Sequence, residues 1–249
     1  SLKDKLITLC SGQAVISKKL KCFGAGESAI AEKLGNLMDR KRNPLINCTV
    51  DFGVTTLHII AKAETRLQAE NLVHKDELKL RQILGELIYG TDDETLAQVV
   101  GNKLAQQGKF LALAESCTGG LIAKLITDVP GASNYFKQSW VTYTNDAKIN
   151  QLSVAAELIE KYGAVSPQVA DAMAKGAKNK AKSDYAIAVT GIAGPTGASE
   201  QKPIGLVYIS IASDKKCITE KFIFSHDRNF VRFRAAQTAL NLLRKQLGD

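Results

Sequence analysis

The sequence lacks any long hydrophobic run. No stretch of about eighteen apolar residues, the minimum for a membrane-spanning helix, occurs in the 249 residues. The first residues also lack the basic, apolar and small-residue order of a signal peptide. These two absences predict a cytoplasmic protein with no membrane partner. The hydrophobic content of 45% is enough for a substantial core, in one large domain or two smaller ones.

Cysteine and histidine are scarce. The five cysteines are scattered and never form a CxxC pair, so neither a disulfide framework nor a thiolate zinc site is favoured, and we expect no metal or cofactor. The three histidines are His58, His74 and His226, and none stands beside a candidate nucleophile in the sequence. Any catalytic base would therefore have to be another residue type.

The net charge of +8 is spread along the chain rather than concentrated. Short basic clusters occur at residues 18–21, 40–42 and 175–182, but no aromatic residues interleave with them for stacking on bases. These clusters are typical of solvated surfaces. Nucleic acid is therefore not the favoured partner.

The hydrophobic pattern predicts two domains. Residues 1–90 indicate a small α+β domain, with a helix at 27–38 and strands at 48–52 and 55–60. Thr91 and Glu94 resemble a capping box that opens a helix ending near Gly108. Residues 91–249 then alternate short apolar strands (110–114, 140–144, 185–190, 204–212 and 222–224) with helices, the pattern of an α/β domain. Ser166 and Pro167 predict the start of one helix, and residues 230–246 a closing one.

Two polar clusters follow predicted strands and could carry nucleophilic chemistry. The first contains Ser116, predicted to be followed at once by a helix whose N-terminal N–H groups could stabilise an anion. A serine needs a base to become a nucleophile, and without a neighbouring histidine a lysine of lowered pKa is the remaining candidate. Lys148, in the second cluster, is that candidate. Taken alone, Ser116 could be only a helix cap and Lys148 only an exposed lysine.

A third cluster is the glycine-rich stretch 190–197, followed by residues 202–205 and a predicted strand. Its glycines allow close backbone approach to an anionic or planar ligand. It matches neither the P-loop nor the dinucleotide fingerprint. Because ligands bind at the carboxyl ends of strands in open α/β sheets, the three clusters could meet in one pocket.

The order of these motifs resembles a known family. The segments AESCTGGLIAKLIT, VTYTNDAK, GAVSP, VTGIAGPTGAS, KPIGLVYI and HDR are similar to the carboxy-terminal domain of the CinA family and to the stand-alone nicotinamide-nucleotide amidohydrolases called PncC. The segment CFGAGESAIAEKLGNLM is similar to the small KH-type domain that precedes it in CinA proteins. Longer CinA proteins also carry an upstream molybdopterin-binding-like domain, and these 249 residues show no counterpart of it.

The resemblance implies a three-layer α/β amidohydrolase domain that converts nicotinamide mononucleotide and water to nicotinate mononucleotide and ammonia in pyridine nucleotide salvage. It implies Ser116 as nucleophile and Lys148 as base, with Tyr143 and Thr118 in the catalytic group. It also implies a homodimer or larger homo-oligomer. The residues implied to bind substrate are Glu115, Gly119, Gly120, Asn145, Gly191, Gly194, Pro195, Thr196, Gly197, Arg228 and Arg232.

Three positions depart from the family pattern, namely Thr144, Ala198 and His226. Ala198 would restrict its loop if that position required a positive φ. Cys117, next to Ser116, is a rival nucleophile because thiolates are intrinsically reactive. Two further alternatives stay open: hydrolysis of the amide of a related pyridine nucleotide, and a non-catalytic competence or DNA-damage adaptor that binds nucleic acid or a repair protein.

Overall fold

The computed structural model describes residues 13–225 and 227–248. Cys10 and His226, which the sequence analysis considered, lie outside these residues. The chain forms two compact units that divide between Thr95 and Leu96. No helix in the described part of the chain is both long enough and apolar enough to cross a membrane.

The first unit is built on a four-stranded antiparallel sheet in the order β2-β3-β1-β4. Its strands are β1 (Ala14–Cys22), β2 (Leu45–Asp51), β3 (Val54–Ala63) and β4 (Ile88–Thr91). Helix α1 (Glu27–Leu34) is extended by a 3-10 turn (Gly35–Met38), and helix α2 (Arg66–Leu84) follows β3. Alternate β3 residues, including Leu57 and Ile59, are fully buried in a core shared with both helices.

Three features of this unit differ from the sequence-based expectation. Strands β1 and β4 are not predicted, and in β1 the lysines obscure the alternation that places Leu20 and Cys22 in the core. The capping-box assignment of Thr91 is wrong. Glu94 does accept hydrogen bonds from the Thr91 backbone N–H and hydroxyl, but these close a turn after β4, and the next helix begins only at Leu96.

The second unit is a five-stranded sheet in the order β6-β5-β7-β8-β9. Strands β5 (Leu111–Glu115), β6 (Phe136–Val141) and β7 (Tyr185–Gly191) are parallel, whereas β8 (Leu206–Ala212) and β9 (Cys217–Ile223) run antiparallel to their neighbours. The helices are α3 (Leu96–Gln106), α4 (Leu121–Thr127), α5 (Asn145–Leu152), α6 (Ala156–Tyr162), α7 (Pro167–Ala181) and α8 (Arg228–Leu247).

Helices cover both faces of this sheet. Helix α7 packs on one face, where the sheet offers small side chains at Ala112, Ala114, Ala186 and Ala188, and α5 and α6 pack against α7. Helix α8 packs on β7 and β8 and contacts α3 and α4. Strand β5 is buried at all five positions, as expected for a parallel strand covered on both sides. The predicted three-layer α/β domain preceded by a small α+β domain is thus confirmed.

Most of the predicted elements of the second unit are present. Ser166 caps α7 through its hydroxyl, which accepts the Val169 N–H, and Pro167 occupies the first turn. One local expectation is wrong. No helix follows β5 at once, because residues 116–120 form a turn before α4 begins at Leu121.

Candidate active site

Ser116 lies where β5 ends, in the turn formed by residues 116–120. Its backbone N–H donates to the Val189 carbonyl of β7 at 3.0 Å, and its carbonyl accepts the Gly119 N–H at 3.1 Å. Gly119 and Gly120 have φ values of +61° and +89°, which favour glycine. The hydrogen bond to β7 and the two glycines therefore fix the turn. Ser116 itself is 8% exposed.

Lys148 projects from α5 to the same place. Its side chain is long and charged in water, yet the residue is only 1% exposed. The Nζ atom lies 3.3 Å from Ser116 Oγ, 2.8 Å from the Thr142 carbonyl oxygen and 3.3 Å from the Tyr143 carbonyl oxygen. A neutral amine can donate its two hydrogens to these carbonyls and turn its lone pair to the serine hydroxyl.

The surroundings of Lys148 favour the neutral amine. Burial lowers the pKa of Lys148, because a charged ammonium loses its hydration there, and the Cys117 thiol opposes this only in part. Within the described residues, no carboxylate forms an ion pair with Lys148. The pair therefore has two properties that a serine nucleophile needs: a close base, and a base whose pKa is lowered by burial.

The neighbouring thiol has the opposite character. Cys117 is buried, and burial raises the pKa of its thiol to about 12, although the charges of Arg232 and Arg228 act to lower it. A thiol with this pKa stays protonated at neutral pH and is a poor nucleophile. The electrostatics of the turn thus favour Ser116 over Cys117.

Two arginines of α8 reach the clusters. The Arg228 guanidinium donates to the Gly194 carbonyl at 2.8 Å and to the Tyr143 hydroxyl at 3.2 Å, which joins the second and third clusters. The Tyr143 side chain is otherwise open to solvent, with 59% of the residue exposed. Arg232 Nη2 donates to the Thr118 carbonyl at 2.8 Å. The three sequence clusters are therefore connected at one end of the sheet, as their positions after predicted strands suggested.

Glu115 caps helix α4. Its residue is fully buried, and its carboxylate accepts the backbone N–H groups of Ile122 and Ala123 at 3.0 and 2.8 Å. These N–H groups have no partner within α4, so the carboxylate caps the helix. Its negative charge also interacts favourably with the positive end of the helix dipole. The Glu115 carboxylate therefore has a structural role at α4, and its contact with a substrate stays a prediction.

The glycine-rich stretch combines structural and open positions. Gly191 packs so tightly that a Cβ would lie 2.6 Å from the Leu206 carbonyl oxygen, which explains that glycine by packing. Gly194 and Gly197 have positive φ values, whereas Ala198 does not, so alanine is not strained there. The stretch is exposed at Pro195, Thr196 and Gly197. Asn145, at the start of α5, is exposed as well.

Sequence reasoning missed the main-chain part of the site. The Thr142 carbonyl holds Lys148 Nζ, and the Thr142 N–H donates to the Glu115 carbonyl at 2.8 Å, which ties the end of β6 to β5. Main-chain contacts of this kind leave no signal in the residue type. No group of three histidine, cysteine, aspartate or glutamate residues able to hold a metal ion occurs within residues 13–225 and 227–248.

The fold and this site define a two-unit α/β protein with a buried lysine–serine pair at the carboxyl end of its sheet. The family model for the CinA C-terminal domain matches residues 93–247, and the model for the damage-inducible protein CinA KH domain matches residues 17–90. The chain therefore belongs to the CinA family.

Individual relatives agree with this assignment. A protein of Caldicellulosiruptor saccharolyticus named for the competence-damage inducible family is 43% identical over 95% of this chain and 58% of its own length. The CinA-like protein of Kosmotoga olearia is 40% identical over 93% of this chain and 56% of its own length. This chain thus spans less than three fifths of these relatives.

A solved structure extends the similarity to the fold. The crystal structure of competence/damage inducible protein CihA from Agrobacterium tumefaciens shares 38% identity and a TM-score of 0.60, and covers 62% of this chain and 94% of that one.

Proposed function

We propose that the second unit hydrolyses the carboxamide of nicotinamide mononucleotide to nicotinate mononucleotide and ammonia. The observation that carries this proposal is the 3.3 Å separation of Lys148 Nζ from Ser116 Oγ, with the lysine buried and its pKa lowered. The substrate class comes from the motif resemblance around these two residues. Family membership supports the assignment at the level of the domain.

The chemistry proceeds in two stages. In the first, Ser116 Oγ attacks the carboxamide carbon while its proton moves to Lys148 Nζ, and the carbonyl oxygen becomes an oxyanion. Lys148 then gives the proton to the leaving nitrogen, so that ammonia departs and a nicotinoyl ester remains on Ser116. In the second stage, Lys148 takes a proton from water, the hydroxide attacks the ester carbon, and Lys148 returns the proton to the departing Ser116 oxygen. The resulting carboxylic acid loses its proton to solvent, which gives the nicotinate carboxylate beside the restored Ser116 hydroxyl.

The phosphate of the nucleotide would bind near Arg228. This guanidinium is exposed and already contacts the Gly194 carbonyl and the Tyr143 hydroxyl, so it lies between the glycine-rich stretch and the end of β6. Arginine suits a phosphate because its planar fork donates two parallel hydrogen bonds. The exposed Tyr143 ring is available to the pyridine ring on the same side.

An ammonia-release assay across nicotinamide mononucleotide, nicotinamide riboside and free nicotinamide tests this function. We expect release from the mononucleotide with the highest kcat/KM, and the matching formation of nicotinate mononucleotide. Hydrolysis of only another pyridine amide would retain the Ser–Lys chemistry but overturn the substrate. No ammonia from any of them, combined with salt-dependent DNA binding, would instead support the adaptor alternative.

A further inference from the structure

Arg232 of helix α8 contacts the turn formed by residues 116–120. It lies on the second turn of α8, next to the fully buried Val231, which anchors that helix on the sheet. Its Nη2 atom donates to the Thr118 carbonyl at 2.8 Å, and its Nε atom is buried without a partner among the described residues. Arg232 is partly buried, whereas Arg228 is exposed to solvent.

The turn is shaped around this guanidinium. Thr118 is fully buried, and its carbonyl accepts both Arg232 Nη2 and, at 3.3 Å, the Leu121 N–H. A Cβ on Gly119 would lie 3.1 Å from Arg232 Nη2, in addition to the strain of its φ of +61°. Because Gly119 has no side chain, the Arg232 guanidinium can approach the peptide group between Thr118 and Gly119.

The carbonyl that Arg232 holds belongs to a peptide unit two residues after the nucleophile. Because a peptide unit is planar, fixing the Thr118 carbonyl also fixes the Gly119 N–H, which donates to the Ser116 carbonyl at 3.1 Å and so closes the turn around Cys117 and Thr118. Backbone N–H groups that follow a nucleophile stabilise an oxyanion only if they are oriented in advance. The positive charge also acts on the turn, since it lowers the pKa of the adjacent Cys117 thiol against the larger effect of burial.

We propose that Arg232 is a positioning residue that holds the turn at residues 116–120 ready for the oxyanion, and that it does not bind the phosphate. This inference rests on the proposed function. Arg228 and Arg232 then have different roles. Arg228, which is exposed, contributes to substrate binding, and Arg232, which contacts the Thr118 carbonyl, contributes to the chemical step. The two arginines are one helical turn apart, so the same helix aligns both.

Steady-state kinetics of Arg232→Lys, Arg232→Met and Arg228→Lys distinguish these roles. For Arg232→Met we expect kcat to fall by about 10²-fold, the scale of a lost oxyanion-hole donor, with KM changed by less than about threefold. Arg232→Lys keeps the charge without the fork and should recover part of kcat. Arg228→Lys should mainly raise KM. The dissociation constant for nicotinate mononucleotide should follow KM in each variant.

Arg244→Lys is the matched control, because Arg244 is a buried arginine on the same helix whose Nε donates to Asn241 rather than to the turn. Its kcat should equal that of the wild type. A raised KM and dissociation constant at unchanged kcat in the Arg232 variants would overturn the positioning role, as would an equal loss of kcat in Arg244→Lys. Failure of the wild type to release ammonia would instead overturn the proposed function, and the positioning role with it.

Discussion

The proposed chemistry depends on one buried lysine, Lys148, which forms no ion pair with a carboxylate within residues 13–225 and 227–248. Burial lowers the pKa of Lys148, and the backbone carbonyls of Thr142 and Tyr143 hold the amine beside Ser116. A lysine in water would be protonated at neutral pH and could not accept the serine proton. In the proposed mechanism, the environment of the side chain, rather than its type, makes it a base.

This environment predicts the pH dependence of the reaction. Protonation of Lys148 removes the lone pair that accepts the Ser116 proton, so kcat/KM should decrease as the pH falls through the pKa of Lys148 and reach a plateau above it. The midpoint should lie below the pKa of about 10.4 of an ordinary lysine. The measurement is kcat/KM for the mononucleotide across pH. A profile that rises only at the ordinary lysine pKa would show that burial does not tune this residue.

The neighbouring cysteine gives a second prediction at the residue scale. Because burial raises the pKa of the Cys117 thiol to about 12, iodoacetamide should not modify it in the folded protein near neutral pH, and Cys117→Ser should retain ammonia release. Peptide mass spectrometry of the folded and the denatured protein measures the labelling, with the denatured sample as the control. Rapid labelling of Cys117 together with loss of activity in Cys117→Ser would make the thiol the nucleophile.

At the scale of elements, the site depends on how closely two helices pack. A Cβ on Gly176 of α7 would lie 2.1 Å from the carbonyl oxygen of Leu152, the last residue of α5. Helix α5 also carries Lys148. Glycine at position 176 therefore sets the distance at which the helix of the base can lie.

The variant Gly176→Ala should displace α5 and so affect both stability and catalysis. We expect a loss of about 1–3 kcal/mol in the free energy of unfolding, typical of overpacking, and a fall in kcat as the lysine moves from the serine. Chemical denaturation and ammonia release measure the two effects. Lys180→Ala, at an exposed position of the same helix, is the control and should change neither. Normal kcat in a destabilised Gly176→Ala protein would separate the packing from the chemistry.

Elements were predicted well where periodicity or caps are strong. The Ser166–Pro167 start of α7 was evident from residue types alone. Strand β1 was missed because three of its nine residues are lysines, and the Thr91–Glu94 pair was read as a helix start although it closes a turn. Strand β1 is defined by its pairing with β3 and β4, which is not local information, whereas the Thr91–Glu94 contact has the same residue pattern at a turn as at a helix start. The cap formed by Glu115 was missed because its N–H donors lie seven and eight residues away.

At the scale of the whole molecule, the proposed chemistry belongs to the second unit. The nucleophile, the base, the glycine-rich stretch and both arginines lie between residues 115 and 232, within the unit Leu96–Asp249. Their positions after predicted strands indicated that these segments could meet, but not how. The distances, the burial of Lys148 and the separate positions of Arg228 and Arg232 required the folded chain.

The second unit should therefore act without the first. We expect residues 92–249, produced alone, to fold and to release ammonia with a kcat within about threefold of the full chain, because no proposed group lies elsewhere. The solved relative from Agrobacterium tumefaciens supports this, since 94% of it matches only 62% of this chain. Circular dichroism and the ammonia assay are the measurements. A folded but inactive fragment would show that the first unit contributes to the activity.

The most direct test of the account is ammonia release from nicotinamide mononucleotide by Ser116→Ala and Lys148→Ala, compared with Lys124→Ala, which removes an exposed lysine of the same unit. If the 3.3 Å pair performs the chemistry, each of the first two variants should lose at least about 10²-fold in kcat while the control retains it. Near-normal turnover in a folded Ser116→Ala or Lys148→Ala protein would contradict the account.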